Sequence, residues 1–195
     1  MIAAYSSNPT AAAEADIGSG VRKGSGISLN PNMEGKNYQI GYSYWNAKPD
    51  GKAAVDERSD RLYGSYSWGG FKLGLAWDRS KLTTAATGAR TSNRTAWSLP
   101  TQYKWGKHGI YAHYTVARND TATVGADGAK LVALAYAYEF FKNTSVAATY
   151  TKITNDATAI YQPFASGTGG LGPGTGAIAA GEDPTLFALT LRYSF

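Results

Sequence analysis

The feature that most constrains this chain is an alternation of apolar and polar residues that recurs over most of its length. In the last such segment, Phe187, Leu189 and Leu191 alternate with Thr190 and Arg192. Successive side chains of a β-strand point to opposite faces, so this period of two predicts strands. Eight segments of about ten residues carry the pattern. They lie within residues 38–44, 61–68, 71–78, 94–105, 110–116, 132–138, 145–151 and 187–195.

Two weaker segments precede these eight and bring the expected number of strands to about ten. They lie near Ile2–Ser7 and Gly26–Glu34. The second contains Pro31, which cannot donate a ladder hydrogen bond. The fold class that follows is all-β and antiparallel.

The connections alternate between short turns and long polar loops. The short turns are Gly35–Asn37, Gly69–Gly70, Gly106–His108 and Phe141–Asn143. The long loops are Asn8–Lys23, Lys48–Ser59, Lys81–Ser92, Asn119–Gly128 and a Gly-rich loop over Asn155–Asp183. Short turns on one side and long loops on the other are typical of outer-membrane β-barrels, whose longer loops are extracellular.

Aromatic residues mark the two ends of the apolar face. Beside the short turns and the C-terminus lie Tyr38, Trp68, Phe71, Tyr103, Trp105, Tyr193 and Phe195. Toward the long loops lie Trp77, Trp97, Tyr114 and Tyr150. Two aromatic rows that flank an aliphatic band are the girdle expected at the two interfaces of a membrane. The alternative is a soluble β-barrel that binds a ligand and turns the same apolar residues inward.

Composition agrees with strands and narrows the chemistry that is possible. The 195 residues include 14 Tyr and 23 Gly, and 17% of them are charged. No apolar run approaches the ~20 residues of a transmembrane helix. Cysteine is absent and only two histidines occur, so we predict no disulfide, no metal site and no cofactor. The net charge of +5 comes from scattered Lys and Arg, which does not indicate nucleic-acid binding.

Several segments resemble the general porins of Gram-negative bacteria. These are Asp60–Asp78 (DRLYGSYSWGGFKLGLAWD), Arg94–Pro100 (RTAWSLP), Ala133–Phe140 (ALAYAYEF) and Phe187–Phe195 (FALTLRYSF). The resemblance implies a transmembrane β-barrel in the bacterial outer membrane that lets small hydrophilic solutes and ions diffuse passively. It also implies contact with outer-membrane lipid, a homotrimer at full length, and recognition of the terminal strand by barrel-assembly machinery through Phe195.

The resemblance further implies that part of the barrel is missing. General porins have about 16 strands, whereas this chain shows about ten and no signal peptide at its N-terminus. We therefore expect residues 1–195 to form one β-barrel domain that is incomplete at its N-terminus and corresponds to the last ten strands. We expect the chain alone to be unstable in a membrane, because an open sheet edge is not tolerated in lipid.

Strand parity assigns basic side chains to the polar face, which lines the lumen in a porin. They are Arg61, Lys72, Arg94, Lys104 and Arg192, with Asp78 the clearest opposing acid. A basic wall favours anions. The alternative is that these side chains are merely solvated and contribute little selectivity.

Enzymatic readings find little support in the sequence. His113 has the parity of the polar face, beside Tyr111 and Thr115, but no Ser or Asp is placed to form a dyad with it. We therefore predict no catalytic residue. Gly167, Gly169 and Gly172 match a dinucleotide-binding pattern, yet they lie in the long loop without the strand and helix that such a site requires. A third possibility is an outer-membrane adhesin or receptor whose long loops bind a partner and whose barrel is not a channel.

Overall fold

The computed structural model describes residues 2–6, 24–48, 55–122, 124–163 and 178–193, and its regular elements are all strands. They are β1 (Ile2–Ser6), β2 (Ser25–Asn30), β3 (Asn32–Glu34), β4 (Tyr38–Lys48), β5 (Val55–Trp68), β6 (Phe71–Thr84), β7 (Arg90–Trp105), β8 (His108–Ala117), β9 (Ala129–Phe141), β10 (Thr144–Asn155) and β11 (Thr185–Tyr193). The predicted all-β fold is confirmed, including both weaker N-terminal segments. In the described part of the chain, no helix is long and apolar enough to cross a membrane.

The strands pair in the order β1-β2-β4-β5-β6-β7-β8-β9-β10-β11, and β3 pairs with β4 beside this path. The pairings of β1 with β2, of β2 and β3 with β4, and of the successive strands from β8 to β11 are antiparallel. β1 and β11 stand at the two ends of this order, and within the described ranges no pairing joins them.

Proline explains why the second predicted segment is divided into β2 and β3. Pro31 has no N–H, so the ladder loses one hydrogen bond at this position. Its carbonyl oxygen still accepts a hydrogen bond from the backbone N–H of Tyr42 at 3.0 Å. The pairing therefore resumes in the same register, with Leu29 opposite Tyr44 before the proline and Asn32 opposite Gly41 after it.

Two compact units share the sheet. The first comprises the described residues of Met1–Gly64, Ala76–Ala96 and Asp120–Val124. The second comprises those of Ser65–Leu75, Trp97–Asn119 and Gly125–Phe195. Within each unit, successive residues of a strand point to opposite faces of the sheet, and the register places residues of the same face next to each other on paired strands.

The apolar face of each unit is uncovered. In the first unit Ile40 is 47% exposed and Leu62 50% exposed, and in the second Leu134 is 50% exposed and Leu189 72% exposed. The buried apolar residues of the described chain are Ala47, Ala129, Ile153 and Ala159, and no large side chain is fully buried there. A soluble barrel of this size needs a core of large apolar side chains, so this arrangement disfavours the soluble alternative and fits a face that lipid covers.

One predicted loop is much shorter than expected. β6 continues to Thr84 and β7 begins at Arg90, so the loop predicted over Lys81–Ser92 is wrong for most of its length. The strands extend beyond the 9–11 residues that cross a membrane. In the parts of the strands beyond that length, both faces of the sheet are in contact with water, so the apolar and polar residues no longer alternate. β5 likewise begins at Val55, inside the loop predicted over Lys48–Ser59.

The other predicted connections agree with the described residues. Residues 118–122 and 124–128 lie between strands. The four short turns lie where they were predicted, except that His108 already belongs to β8 and Phe141 still belongs to β9. The base of the Gly-rich loop is held by the side chain of Asn155, which donates to the carbonyl oxygens of Tyr161 at 2.9 Å and Glu182 at 2.7 Å. About half of that loop (164–177) lies outside the described residues, as do residues 49–54 of the loop predicted over Lys48–Ser59, the loop predicted over Asn8–Lys23, and residues 194–195.

The turn between β5 and β6 yields a prediction about stability. A Cβ atom added to Gly70 would lie 2.2 Å from the carbonyl oxygen of Lys104, which belongs to the backbone and cannot rotate away. Gly70→Ala should therefore lower the free energy of unfolding by about 2 kcal/mol. Urea unfolding in detergent micelles, followed by tryptophan fluorescence, measures this.

Gly69→Asn is the matched control for this turn. Gly69 has a φ of +55° with nothing within 4 Å of its added Cβ, and Asn tolerates that conformation. Gly69→Asn should lower the free energy of unfolding by less than about 1 kcal/mol. Equal losses in the two variants would contradict the steric account.

Candidate functional site

The polar face of the second unit ends in a basic recess beside the short turns, here called the turn-end recess. β9, β10 and β11 bring Glu139, Ser145 and Arg192 into one cross-strand row. The recess has a volume of about 310 Å³. Its charged lining residues are Lys104, Lys107, Lys142, Arg192 and Glu139. Four cations thus face one carboxylate, which gives the recess a positive potential.

Two of the five basic residues predicted from parity, Lys104 and Arg192, line this recess together. The ammonium of Lys104 lies 6.0 Å from the ring centroid of Tyr111, which also lines the recess. Neither Lys104 nor Arg192 has a carboxylate within ion-pair distance among the residues that the structure describes. Their charges therefore remain available to a solute.

Arg61 lies in a different environment, on the polar face of the first unit. Its Nε lies 2.7 Å from Oδ1 of Asp78, so the basic charge is paired with the acid that parity placed beside it. The pair borders a second recess of about 250 Å³, whose other lining residues include Ser28, Ser43, Ser59 and Trp45. An exposed ion pair of this kind adds little net charge to the face.

Asn30 organises the hydroxyl groups next to that ion pair. Its Oδ1 accepts hydrogen bonds from Ser43 Oγ at 3.2 Å and from Tyr63 Oη at 3.3 Å. The Tyr63 ring occupies the space that a Cβ on Gly41 would fill, with ring atoms 2.4 Å from that position. Glycine at position 41 therefore lets an aromatic ring lie flat against the sheet on its polar face.

Arg94 is engaged in holding the connection between β8 and β9. Its Nε lies 3.2 Å from Oδ2 of Asp120, whose side chain is almost completely buried. Asp120 also accepts hydrogen bonds from Ser92 Oγ and from the backbone N–H groups of Asn93 and Ala122. The sequence had not indicated this cluster, because Asp120 lies in a loop and no alternation marks its partners.

These contacts lower the pKa of Asp120. Burial alone would raise it, but the hydrogen bonds from Ser92, Ala122, Asn93 and Arg94 outweigh that effect and hold the pKa at about 2. The charged carboxylate is therefore the form that stabilises the loop.

The other residues predicted for the polar face, Lys72 and His113, lie outside the ion pairs described above. Lys72 is exposed on β6 and, within the described ranges, has no ion-pair partner. His113 Nε2 lies 3.0 Å from Thr115 Oγ1, which lies 2.9 Å from Ser98 Oγ. In the described part of the chain no group of three His, Cys, Asp or Glu side chains could hold a metal ion.

The aromatic residues beside the short turns form a continuous stack in the second unit. Ring centroids are 5.6 Å apart for Trp68 and Phe71, 4.2 Å for Phe71 and Tyr103, and 5.2 Å for Tyr103 and Trp105. His108 extends the stack at 5.2 Å from Trp105 and approaches Tyr136 Oη at 2.7 Å through Nδ1. The sequence had assigned His108 only to a turn, although its parity matches that of Ile110.

The other residues predicted for the girdle lie on the same apolar face of their strands. Their exposed fractions are 44% for Tyr38, 43% for Trp97, 43% for Tyr114, 40% for Tyr150 and 64% for Tyr193, and Trp77 is partly exposed. Phe195 lies outside the described residues. Exposed aromatic rings at both ends of an apolar band are typical of transmembrane barrels.

Comparison with known families decides the identity. A family model described as Gram-negative porin matches residues 2–158. The chain belongs to the Gram-negative porin family. A comparison with curated proteins found no significant match. Its family and its fold place this porin chain in the bacterial outer membrane.

Two solved structures share the fold of this chain at low sequence identity. An anion-selective porin from Comamonas acidovorans has a TM-score of 0.66 and 16% identity, covering 89% of this chain and 48% of its own. OmpT, an outer membrane protein of Vibrio cholerae, has a TM-score of 0.65 and 16% identity, covering 88% of this chain and 56% of its own. This porin chain therefore spans about half the length of these structures.

The Asp120 cluster predicts how the stability of this porin chain depends on pH. Because the pKa of Asp120 is lowered from 3.8 to about 2, its contribution is fully present above about pH 4. It is lost as the pH falls through about 2. Asp120→Asn should therefore lower the free energy of unfolding by up to about 2 kcal/mol at pH 5.

Urea unfolding of both proteins in detergent at pH 5 and near pH 2 measures this dependence. The difference between them should shrink at the lower pH. Glu57→Gln, which removes an exposed carboxylate of β5, serves as the control. A difference between wild type and Asp120→Asn that stays constant with pH would contradict the assignment.

Proposed function

We propose that this porin chain forms the wall of a channel through which small hydrophilic solutes diffuse passively, with a preference for anions. The observation that carries the proposal is the turn-end recess, where four cations face a single carboxylate. A water-filled passage lined by uncompensated positive charge raises the local concentration of anions and lowers that of cations. No covalent step is needed, because transport follows the concentration gradient.

The anion preference depends on those basic residues of the polar face whose charge is not paired with a carboxylate. Arg61 and Arg94 are paired with Asp78 and Asp120, so their fields are largely cancelled. Lys104 and Arg192 lie in the turn-end recess without such partners in the described chain. Of the five basic residues predicted from parity, we therefore assign the largest share of the selectivity to these two, beside Lys107 and Lys142 of the same recess. Lys72 is a weaker contributor, and Tyr111 and His113 are polar parts of the wall.

The small size of the neighbouring polar-face residues supports a passage for water. On β9 and β10, Ala137 lies opposite Ala147 and Ala135 opposite Thr149, on the same face as Arg192 and Glu139. Short side chains leave space above the sheet, whereas the large ones point to the other face. A porin named anion-selective shares this fold, which makes ion preference the natural property to measure first.

The wider setting of the channel is also part of the proposal. Uncovered apolar residues of β11 such as Leu189 and Leu191, 72% and 73% exposed, suit contact with lipid. We propose that barrel-assembly machinery recognises this terminal strand, which ends at Phe195, and that the complete porin is a homotrimer. The function requires no catalytic residue, metal or cofactor.

Single-channel recording tests the proposal. The refolded chain is inserted into a planar bilayer under a salt gradient, and the reversal potential gives the ratio of anion to cation permeability. Discrete steps with an anion-biased reversal potential would support the proposal. They would also show that the strands of this chain suffice for a channel, against the expectation that the chain alone is unstable in a membrane. The double variant Lys104→Gln/Arg192→Gln should lower the permeability ratio by about twofold or more, because it removes two uncompensated charges from the wall.

The control variant removes two lysines from the opposite face. Lys130 and Lys152 share the face of Val132 and Tyr150, so Lys130→Gln/Lys152→Gln changes the net charge equally without altering the polar face. It should leave the reversal potential unchanged. A cation-biased wild type, or equal shifts in both variants, would contradict the assignment. Verified insertion without steps would mean that the chain is an incomplete porin or a barrel that is not a channel, such as a receptor.

A further inference from the structure

One tryptophan of this porin chain lies on the polar face of the sheet. Trp45 of β4 is paired with Ser28 of β2, and directly opposed residues of an antiparallel pair share a face. The other four tryptophans belong to the apolar face, where a membrane interface accounts for them. They are Trp68, Trp77, Trp97 and Trp105. Trp45 is 41% exposed, so neither lipid nor a packed core accounts for its ring.

Trp45 borders the second recess described above, here called the Trp45 recess. Its volume is about 250 Å³. Its polar lining residues are Ser28, Asn30, Ser43, Ser59, Arg61 and Asp78, all of the first unit. This volume lies just below the ~300–1,000 Å³ of pockets that hold drug-sized ligands. The recess therefore has room for one small solute beside the indole ring.

The Trp45 recess presents hydrogen-bonding groups without a net charge. Nε and Nη2 of Arg61 lie 2.7 Å and 3.4 Å from the two carboxylate oxygens of Asp78, so the two charges largely cancel. The two side chains are nevertheless 52% and 32% exposed. The guanidinium has further N–H donors and the carboxylate has further lone pairs. A hydroxyl group, which both donates and accepts, finds both kinds of partner in this pair.

Asn30 adds an amide group whose orientation is fixed from two strands. Its Oδ1 accepts hydrogen bonds from Ser43 Oγ at 3.2 Å and from Tyr63 Oη at 3.3 Å. Within the described ranges its Nδ2 makes no hydrogen bond, so both of its N–H donors remain for a ligand. The hydroxyl oxygens of Ser43 and Tyr63 keep lone pairs that can accept. Donors and acceptors are thus held in place before a ligand arrives.

These features together specify the chemical class of the ligand. The face of an aromatic ring carries partial negative charge and attracts polarised C–H groups. A pyranose sugar offers C–H groups on the faces of its ring and hydroxyl groups around its edge. An apolar solute would displace water from the donors and acceptors and leave them unpaired, which is unfavourable. A charged solute would meet one group of like sign in the Arg61–Asp78 pair.

We propose that the Trp45 recess is a saturable binding site for a neutral sugar. A pyranose ring stacks on Trp45, and its hydroxyl groups form hydrogen bonds with Arg61, Asp78 and Asn30. The site rests on the proposed function in that the sugar is one of the small hydrophilic solutes that the channel passes. β4 ends at Lys48, three residues beyond Trp45, and the long loops of outer-membrane barrels are extracellular. A sugar that enters from outside the cell therefore reaches this recess early.

Calorimetric titration with maltose tests the proposal. The full chain is kept in a detergent without a sugar headgroup, and wild type should give a saturable isotherm. Trp45→Ala should weaken maltose binding about tenfold, because the stacking surface is lost. Asp78→Asn should also weaken it about tenfold or more, because it removes a charged acceptor and leaves Arg61 unpaired.

Two control variants separate lost contacts from lost folding. Trp45→Tyr keeps an aromatic face and should retain most of the affinity, whereas far-UV circular dichroism verifies the β-sheet of each variant. Trp97→Ala removes an indole from the apolar face of β7 and should bind maltose as wild type does. A linear, unsaturable isotherm for wild type, or an equal loss of affinity in Trp97→Ala and Trp45→Ala, would overturn the proposal.

The same titration keeps this proposal separable from the proposed channel. Binding in detergent does not require conduction, so saturable binding that depends on Trp45 would support the sugar site even if no channel steps were recorded. Channel steps from a chain that shows no saturable maltose binding would support the channel and overturn the sugar site.

Discussion

The satisfaction of backbone hydrogen bonds is the constraint on which the rest of this structure depends. A strand that lies in lipid has no water to bond its N–H and C=O groups, so every such group must find a partner on a neighbouring strand. The long antiparallel ladder from β2 to β11 provides those partners. The one interruption within β2 and β3 falls at Pro31, whose carbonyl oxygen is still bonded to Tyr42.

Once the backbone is paired, the side chains of each strand must divide between two solvents. Leu191, Val146 and Tyr138 meet on one face, whereas Arg192, Ser145 and Glu139 meet on the other. The face of Leu191 carries large apolar side chains, and the face of Arg192 carries short side chains beside charged ones. A slip of one residue in register would exchange the two sets, so lipid and water together fix the register.

Alternation was sufficient to predict the strands but not their full length. The period of two survives only where one face meets lipid, and this is why residues 81–84 of β6 appeared to be a loop. Side-chain partners were predictable where they share a face on neighbouring strands, as Arg61 and Asp78 do. The Asp120 cluster was not predictable, because a carboxylate in a loop meets Ser92 and Arg94 only after the chain has folded. Glu139 could have been found, since its parity matches that of Ala137.

Lys and Arg residues have different partners in this chain, depending on the face of the sheet and the end of the strand on which they lie. In the second unit, Lys104 and Arg192 lie on the polar face beside the short turns, where water screens their charges and a passing anion can approach. In the first unit, Arg58 lies on the apolar face near the long loops and is paired with Asp60. On the polar face of that unit Arg61 is neutralised by Asp78 within the chain. A net charge of +5 therefore says little about function until each cation is assigned to a face, because its neighbours on that face decide whether its charge is paired with a carboxylate or remains unpaired.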